Sequence, residues 1–421
     1  MAKNFLIPRG TADILPAFIP HWHDLEQKSR RILEIYGFRE IRTPVFEETA
    51  LFVRSLGDAT DVVQKQMLTI AGGKEDNLSL RPEGTAAIVR SYIENDIDKK
   101  QGLAKFYYIG AMFRGERPQK GRLRQFHQIG VEAMGPTASL LDAEVIALAA
   151  HLLAECGISG YKLRINSLGT PEDKKKFSGH LRENLRKQLP SLCEDCQSRF
   201  ERNVFRILDC KQEGCKKIVH GLELGHSHLS EESREYFEKV KEALTWLNVP
   251  YEQDYFLVRG LDYYTHTVFE ISHPGLGSQD AIGAGGRYNN LIGELGGPQV
   301  GAVGFALGME RMLLAKPQTE QPLEQGVEVF VVSRGEACVK EAVDLLNRLR
   351  HNGVSSDMSY EQDASFKSQL RLADKFKAKY VIFIGEDELK ENSGTLKDMT
   401  TGTQEKVPLN TIVEVLKSKL C

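Results

Sequence analysis

Residues 113–132, FRGERPQKGRLRQFHQIGVE, place five Arg or Lys side chains within eleven residues, between two runs that alternate like β-strands. Strand parity puts Phe106, Tyr108, Gly110, Met112 and Arg114 on one face of the first run. On the return, Phe126, Gln128, Gly130 and Glu132 share a face, while Ile129 and Val131 share the opposite one. The polar face offers a guanidinium, an aromatic ring, an amide and a carboxylate, with glycines leaving room for a ligand. It suits a molecule carrying a phosphate, a flat ring and a polar or cationic group. A solvated hairpin with its charges outward is the plainer alternative.

Other clusters favour the ligand. In LRPEGT, residues 80–85, Pro82 and Gly84 fix a turn around Glu83 with Thr85 beside it, which could receive an ammonium or merely cap a helix. In VRGLDYYTHTVFEI, residues 258–271, Arg259 precedes Tyr263 and Tyr264 and leads into a strand. The run from Gly283 to Leu313 has more glycine than core packing needs. Gly283, Gly285 and Gly286 imply close backbone approach to a ligand. The spacing and strand–helix order of a dinucleotide fingerprint are absent. GFALGMERML reads as a strand entering a helix, with Arg311 in its first turns. Three arginines far apart in sequence, 114, 259 and 311, thus sit in apolar or glycine-rich segments. Their forks match phosphate oxygens, and positive groups already in place stabilise a transferring phosphoryl group.

A separate constellation lies at CEDC, 193–196, and CKQEGC, 210–215: C-x2-C, thirteen residues, then C-x4-C. Cys193, Cys196, Cys210 and Cys215 either close a structural zinc site or remain free thiols. Cys156 and Cys338 read as buried thiols on helices. His21, His23, His226 and His228 carry no ligand pattern and read as surface residues. The DKKKF run near 173 reads as a solvated charge run.

The chain that must position these residues has 421 residues, enough for two or three domains. Its formal charge is -3, so any anion site must be local. Seven cysteines in this length do not form a secreted disulfide framework. With no signal-peptide core and no long apolar run, the expectation is a soluble cytoplasmic protein without membrane contact. Residues 17–36 have helical periodicity, ending at Gly37. FREIRTPVFEETALF looks extended, with Pro44 interrupting a strand. Residues 139–156 form a strong helix, with Ser139 as its cap and Asp142 in its first turn. The character changes over 171–235, rich in charge and Cys, which reads as a helical insertion. Residues 315–326 are polar and Pro-containing, a linker. Beyond them VEVFVVS, a helix at 336–351, GVSSDMS, a helix near 364–377 and YVIFIG alternate as in a compact α/β domain.

With these segments in view, the chain resembles the class II aminoacyl-tRNA synthetases, specifically the bacterial-type histidyl-tRNA synthetase family, over essentially its whole length. GFREIRTPVFEETALF, FRGERPQKGRLRQFHQIGVE and GFALGMERML are similar to the three class motifs, and RGLDYYTHTVFEI to the segment peculiar to the histidine enzymes. The resemblance implies an α+β fold: an antiparallel sheet flanked by helices, with a helical insertion and a C-terminal α/β anticodon-binding domain. The catalytic domain would occupy 1–170 and 236–325, the insertion 171–235 and the anticodon-binding domain 326–421. It also implies a homodimer joined through the Pro44 segment, acting on ATP with Mg²⁺, L-histidine and tRNA(His).

By the same resemblance, Arg114 contacts the α-phosphate and the substrate carboxylate, and Arg259 lies near the α-phosphate where other class II enzymes use a metal ion. Glu116 reads the adenine edge and Phe126 stacks on the ring. Arg122 and Arg311 hold the outer phosphates. Glu83, Gly84, Thr85 and Gln128 receive the ammonium, Glu132 and Tyr264 bracket the imidazole, and Tyr263 and Tyr288 shape the pocket. A neutral imidazole has one donor and one acceptor nitrogen, which a Glu and a Tyr hydroxyl can both satisfy. The alternative is a non-catalytic paralogue that regulates histidine biosynthesis. Such proteins usually lack the C-terminal module and parts of the motifs, all of which are present here.

Overall fold

A computed structural model describes residues 5–58, 60–71, 77–277, 280–317, 326–361 and 364–420. The chain divides into two compact units, Met1–Gln321 and Pro322–Cys421. The division falls within 318–325, so most of the expected linker, 315–326, lies outside the described residues.

The first unit is built on an eight-stranded sheet in the order Arg39–Glu40, Ala104–Phe113, Gln125–Gly135, Gly301–Gly308, Ala281–Arg287, Thr265–Ser272, Lys162–Ser167, Glu252–Gln253. The six inner strands are antiparallel, and only the two-residue edge strands pair in parallel. The hairpin parity read from the sequence holds. Phe106 faces Glu132 across the ladder, Tyr108 faces Gly130, Gly110 faces Gln128 and Met112 faces Phe126. The next strand continues the row, with Gly304 opposite Glu132 and Gly308 opposite Gln128.

The alternate residues of these strands make the other face. Ile129, Val131, Ile271, Phe269 and Leu307 are buried there against helices Ile19–Ile35, Ser139–Glu155 and Glu231–Trp246. Each such side chain contributes about 1.5–3 kcal/mol when fully buried. The helix over Ser139–Glu155 is apolar nearly all round, which suits its place between two other helices. Its cap differs from expectation. Ala138, in an extended conformation, holds the cap position and no side chain closes it. Asp142 instead pairs with Arg287 at 2.5 Å, both fully buried, and accepts from Thr267 at 2.7 Å and Tyr236 at 3.2 Å. One carboxylate thereby fastens the helix layer to two strands.

Pro44 lies between Arg39–Glu40 and Phe46–Glu48, which belong to different sheets; Phe46–Glu48 joins a three-stranded antiparallel sheet with Leu68–Ile70 and Leu78–Leu80. A residue without an N–H suits such a break.

Between Lys162–Ser167 and Glu252–Gln253 the chain is helical, including Pro171–Leu185, Glu194–Arg202 and Glu213–His220, around a small core of Phe177, Leu181, Leu185, Phe200 and Ile207. The expected solvated run is only half solvated. Asp173 is buried and closes a capping box with Thr170, and Phe177 is in the core. The surface assignment of the histidines also fails in part. His228 is buried and stacks on Phe177 with ring centroids 4.1 Å apart, and His226 is half-buried and bonded to Asn166 at 2.9 Å. Cys156 and Cys338 are buried, as expected.

The second unit has a five-stranded sheet in the order Ser356–Met358, Val329–Ser333, Tyr380–Ile384, Ser393–Asp398, Gln404–Pro408. The first three strands run parallel and the last two antiparallel. Helices Glu336–His351, Phe366–Lys375 and Ile412–Leu420 accompany it. No helix among the described residues is long and apolar enough to cross a membrane.

Candidate active site

The polar face of the hairpin forms the floor of a cavity of about 780 Å³ in the first unit. Every residue singled out by the sequence resemblance for ATP or histidine borders it except Gly84, which lies beneath. The cavity size is that of ordinary small-molecule sites.

At one end Glu132, 2 % exposed, is held from two sides. Thr85 Oγ1 donates to Glu132 Oε1 at 2.6 Å and the Tyr288 hydroxyl donates to Oε2. Burial pushes the Glu132 carboxyl up to about 8, against the opposing bonds from Thr85 and Tyr288, and the charge of Glu83 adds to the rise. Tyr263 packs on Tyr264 and Tyr288, with ring centroids 4.6 and 5.4 Å away. Burial also raises all three phenols, Tyr264 to about 12, so they remain neutral donors. The result is a box of buried phenols beside one buried carboxyl.

Glu83 does both things the turn allowed. Its oxygens accept from the Thr85 and Ala86 amides at 2.6 and 2.9 Å, capping helix Thr85–Glu94, and it still borders the cavity. Gln128 Oε1 and the Tyr108 hydroxyl are buried without a hydrogen-bond partner among the described residues. Orphaned buried acceptors are rare, and one lining a cavity is well placed for a ligand ammonium.

The hairpin glycines are used differently from expectation. A Cβ at Gly84 or Gly130 would overlap the ring of Tyr108, and one at Gly110 would meet Arg81 Nη2 at 2.7 Å. Gly304 makes way for the Glu132 carboxylate and Val131, while Gly283 and Gly285 would strike the neighbouring strand at Ala306 and Gly304. Their missing side chains admit protein groups that shape the floor. At Gly110 and Gly130 no open space is left for a ligand, whereas Gly283 borders the cavity with its backbone, along with Gly304 and Gly308.

At the other end lie the arginines. Arg114 is anchored by Nε to the Pro82 carbonyl at 2.9 Å, with its guanidinium 5.3 Å from the Phe126 ring centroid. Arg122 and Glu116, given separate partners by the resemblance, pair with each other at 3.1 Å. Arg311 donates to the carbonyls of Gly121 and Ala281. Burial and the nearby Arg122 lower Arg311 to about 10, still charged at neutral pH. Arg259 donates to Glu270 at 2.6 Å, and the other oxygen of Glu270 takes Arg164, also at 2.6 Å.

Glu270 and Arg164 are thus supporting residues that sequence reasoning missed; the signal was the one carboxylate in strand THTVFEIS, set between apolar Phe269 and Ile271. Lys174 was missed for a better reason. It comes from the insertion, and its Nζ donates to the Asp262 and Tyr264 carbonyls at 2.9 Å each, holding the tyrosine segment from behind. The four cysteines of the insertion do converge. Their Sγ atoms lie within 4.8 Å of one another, beside the same cavity.

The raised Glu132 gives a pH signature. Its folded carboxyl keeps a proton up to about 8, while the unfolded one loses it near 4.5. Between those values the unfolded state binds fewer protons, so this group makes stability fall as pH rises through that window. Glu132→Gln should make the decline shallower. Thermal melts of histidine-free protein between about pH 5 and about pH 8 measure it; equal slopes in both proteins would contradict the assignment.

An antiparallel sheet with an arginine-rich nucleotide-sized cavity on one face, followed by a separate α/β unit, is the architecture of a class II aminoacyl-tRNA synthetase. The histidyl-tRNA synthetase family model matches residues 10–312, and an anticodon-binding-domain model matches 328–419. The chain belongs to the histidyl-tRNA synthetase family. It is 45 % identical to a histidine–tRNA ligase of Geobacillus sp. (strain WCH70) over 99 % of both chains. Another such ligase, from Pelotomaculum thermopropionicum, is 45 % identical over 98 % of this chain and 97 % of its own. The crystal structure of apo histidyl-tRNA synthetase from S. aureus superposes with a TM-score of 0.80 at 39 % identity, covering 98 % of this chain and all of that one.

Proposed function

We propose that this protein joins L-histidine to tRNA(His) in the cytoplasm, through a histidyl-adenylate. The observation that carries this is the box of buried Glu132, Tyr263, Tyr264 and Tyr288 set beside a row of half-buried arginines that line the same cavity. An amino acid with an imidazole fits the box. Its ammonium meets Glu83, Thr85 and Gln128, and its carboxylate lies toward Arg114 and Arg259. An isostere without the ring nitrogens would leave buried polar groups unpaired.

In the first step the histidine carboxylate attacks the α-phosphorus of ATP and pyrophosphate leaves. Arg114 and Arg259 bear on the charge that develops there, while Arg122 and Arg311 hold the outer phosphates. Binding would exchange the Arg122–Glu116 pair for Arg122–phosphate and Glu116–adenine contacts. In the second step the terminal ribose hydroxyl of the tRNA attacks the adenylate carbonyl and AMP leaves. Positioning and fixed charge serve both steps, and no side-chain nucleophile is needed. Glu116 and Asp280 are the carboxylates bordering Arg311's end of the cavity, and Glu116 is already paired. That donor set suits Mg²⁺ carried largely by the phosphates, where it neutralises their charge.

The domain scheme belongs to the same proposal: a catalytic domain over 1–170 and 236–325, an insertion over 171–235 and an anticodon-binding domain over 326–421. So does a homodimer formed through the Pro44 segment, supported by the exposed apolar residues Val45 and Phe46.

ATP–pyrophosphate exchange with each amino acid in turn is the test. Only L-histidine should support it, and sedimentation of the same preparation should show a dimer. Histidine binding with no exchange would favour the regulatory paralogue. A solved structure described as an ATP phosphoribosyltransferase regulatory subunit/histidyl-tRNA synthetase, from Bacillus halodurans, shares this fold at 22 % identity and a TM-score of 0.67. That likeness concerns the fold alone.

A further inference from the structure

We propose that Cys193, Cys196, Cys210 and Cys215 hold one zinc ion in a closed tetrathiolate site that ties the helical insertion into a single loop beside the active-site cavity. The four Sγ atoms come from different local elements. Cys193 immediately precedes helix Glu194–Arg202, Cys196 lies in its first turn, Cys210 follows the short turn Val204–Ile207, and Cys215 lies near the start of helix Glu213–His220. All lie within 4.8 Å of one another, and the Cys193 and Cys210 sulfurs are 3.9 Å apart. A tetrahedron with Zn–S bonds of about 2.3 Å separates its sulfurs by about 3.8 Å, so a slight contraction completes it.

Two features favour thiolates bound to a metal over four neutral thiols. The Cys193 amide donates to Cys215 Sγ at 3.2 Å, an interaction that favours negative charge on sulfur. Helix N-termini at Glu194 and Glu213 direct their positive ends toward the cluster. Sulfurs this close enclose a single ion, and four soft ligands in tetrahedral disposition select zinc among the common divalent metals. The insertion's own apolar core is small, so a bound metal would supply a large part of its folding energy.

The loop so closed, residues 193–215, also reaches the catalytic half of the unit. Arg199 and Arg206 both pair with Asp61, at 3.3 and 2.5 Å, and Asn203 donates to Asp262 at 2.7 Å, beside the tyrosine pocket. The metal would act as a fastener for this contact. No step of histidine activation passes through it, and the site stands whether or not the ligase assignment does.

The test uses tag-free full-length protein purified without chelator under reducing, oxygen-free conditions. Elemental analysis should find about one zinc per chain. The zinc should be lost in a Cys193→Ser/Cys196→Ser variant. Exchange of cobalt(II) into the wild-type protein should give sulfur-to-metal charge-transfer bands and tetrahedral d–d bands, a readout that needs no variant to fold. Wild-type protein that emerges zinc-free from gel filtration after incubation with zinc chloride, with all four thiols reactive to a disulfide reagent, overturns the proposal. So does iron in place of zinc, or a cobalt spectrum without thiolate bands.

Discussion

Arg259→Ala should leave the fold intact and lower the rate of histidine adenylation by about 10²–10³. Arg259 approaches the cavity from the segment just before the tyrosines and is aimed by Glu270, whose other oxygen is held by Arg164, itself 3.3 Å from Asp254. The side chain is therefore a fixed charge, placed before substrate arrives, and such groups cost no reorganisation during reaction. If Arg259 acts at the α-phosphate as proposed, removing it deletes charge stabilisation that grows as the phosphoryl group transfers. The loss should appear mainly in kcat for pyrophosphate exchange. Arg259→Lys should rescue little, because an ammonium cannot reproduce a planar fork shared between a carboxylate and a phosphate. Exchange near the wild-type rate in purified, folded Arg259→Ala protein would show that the role is misassigned.

Asp142→Ala should be among the most destabilising single changes in the first unit, costing about 3–5 kcal/mol. Arg287 is the largest fully buried side chain in the molecule's described residues, and Asp142 is its only charged partner there. Without the carboxylate, Arg287 keeps bonds to Asn289 and the Ala138 carbonyl and its place by the Tyr236 ring, none of them an opposite charge, while Thr267 and Tyr236 lose an acceptor. The cost is chiefly that of a stranded buried charge. Adding Arg287→Met to Asp142→Ala should therefore recover a good part of it. Urea midpoints of the three proteins measure this. If the single variant loses less than about 1 kcal/mol, or the double is simply additive, the pair does not carry the load assigned to it.

This pair also marks where the sequence stops being legible. Asp142 sits where helix-start rules expect an acidic residue, and those rules place it at the helix's first turn without naming Arg287, 145 residues away. Periodicity recovered the hairpin and the helices near 17–36, 139–156, 336–351 and 364–377, because each is a sustained local pattern; it missed Thr49–Leu56, whose first residues were read as extended. The facing of the hairpin's side chains followed from parity, since slipping by one residue would send Gln128 and Glu132 into the helix layer. The short, polar strands Ser393–Asp398 and Gln404–Pro408 left little pattern to find. In the site, the arginines and tyrosines stood out by type and setting. Lys174 did not, because a lysine in a charged run looks solvated until the fold brings the Asp262 and Tyr264 carbonyls to it. The hairpin glycines Gly110 and Gly130 misled for the same reason. Sequence shows that a side chain is missing, and only packing shows what takes its place.

The seating of Tyr108 over Gly84 and Gly130 constrains how this protein can evolve or be redesigned. Even an added methyl at either position would collide with the ring, and one at Gly304 would collide with Glu132. Three points at or beneath the cavity floor, of which Gly304 borders the cavity itself, are therefore closed to every one-step substitution that keeps their neighbours in place. New specificity would have to enter through Tyr263, Tyr264 or Tyr288, where a smaller side chain opens room instead of demanding it, or through paired changes in which Tyr108 shrinks before a glycine grows. The pocket's shape is inherited as a set, which narrows the paths open to drift.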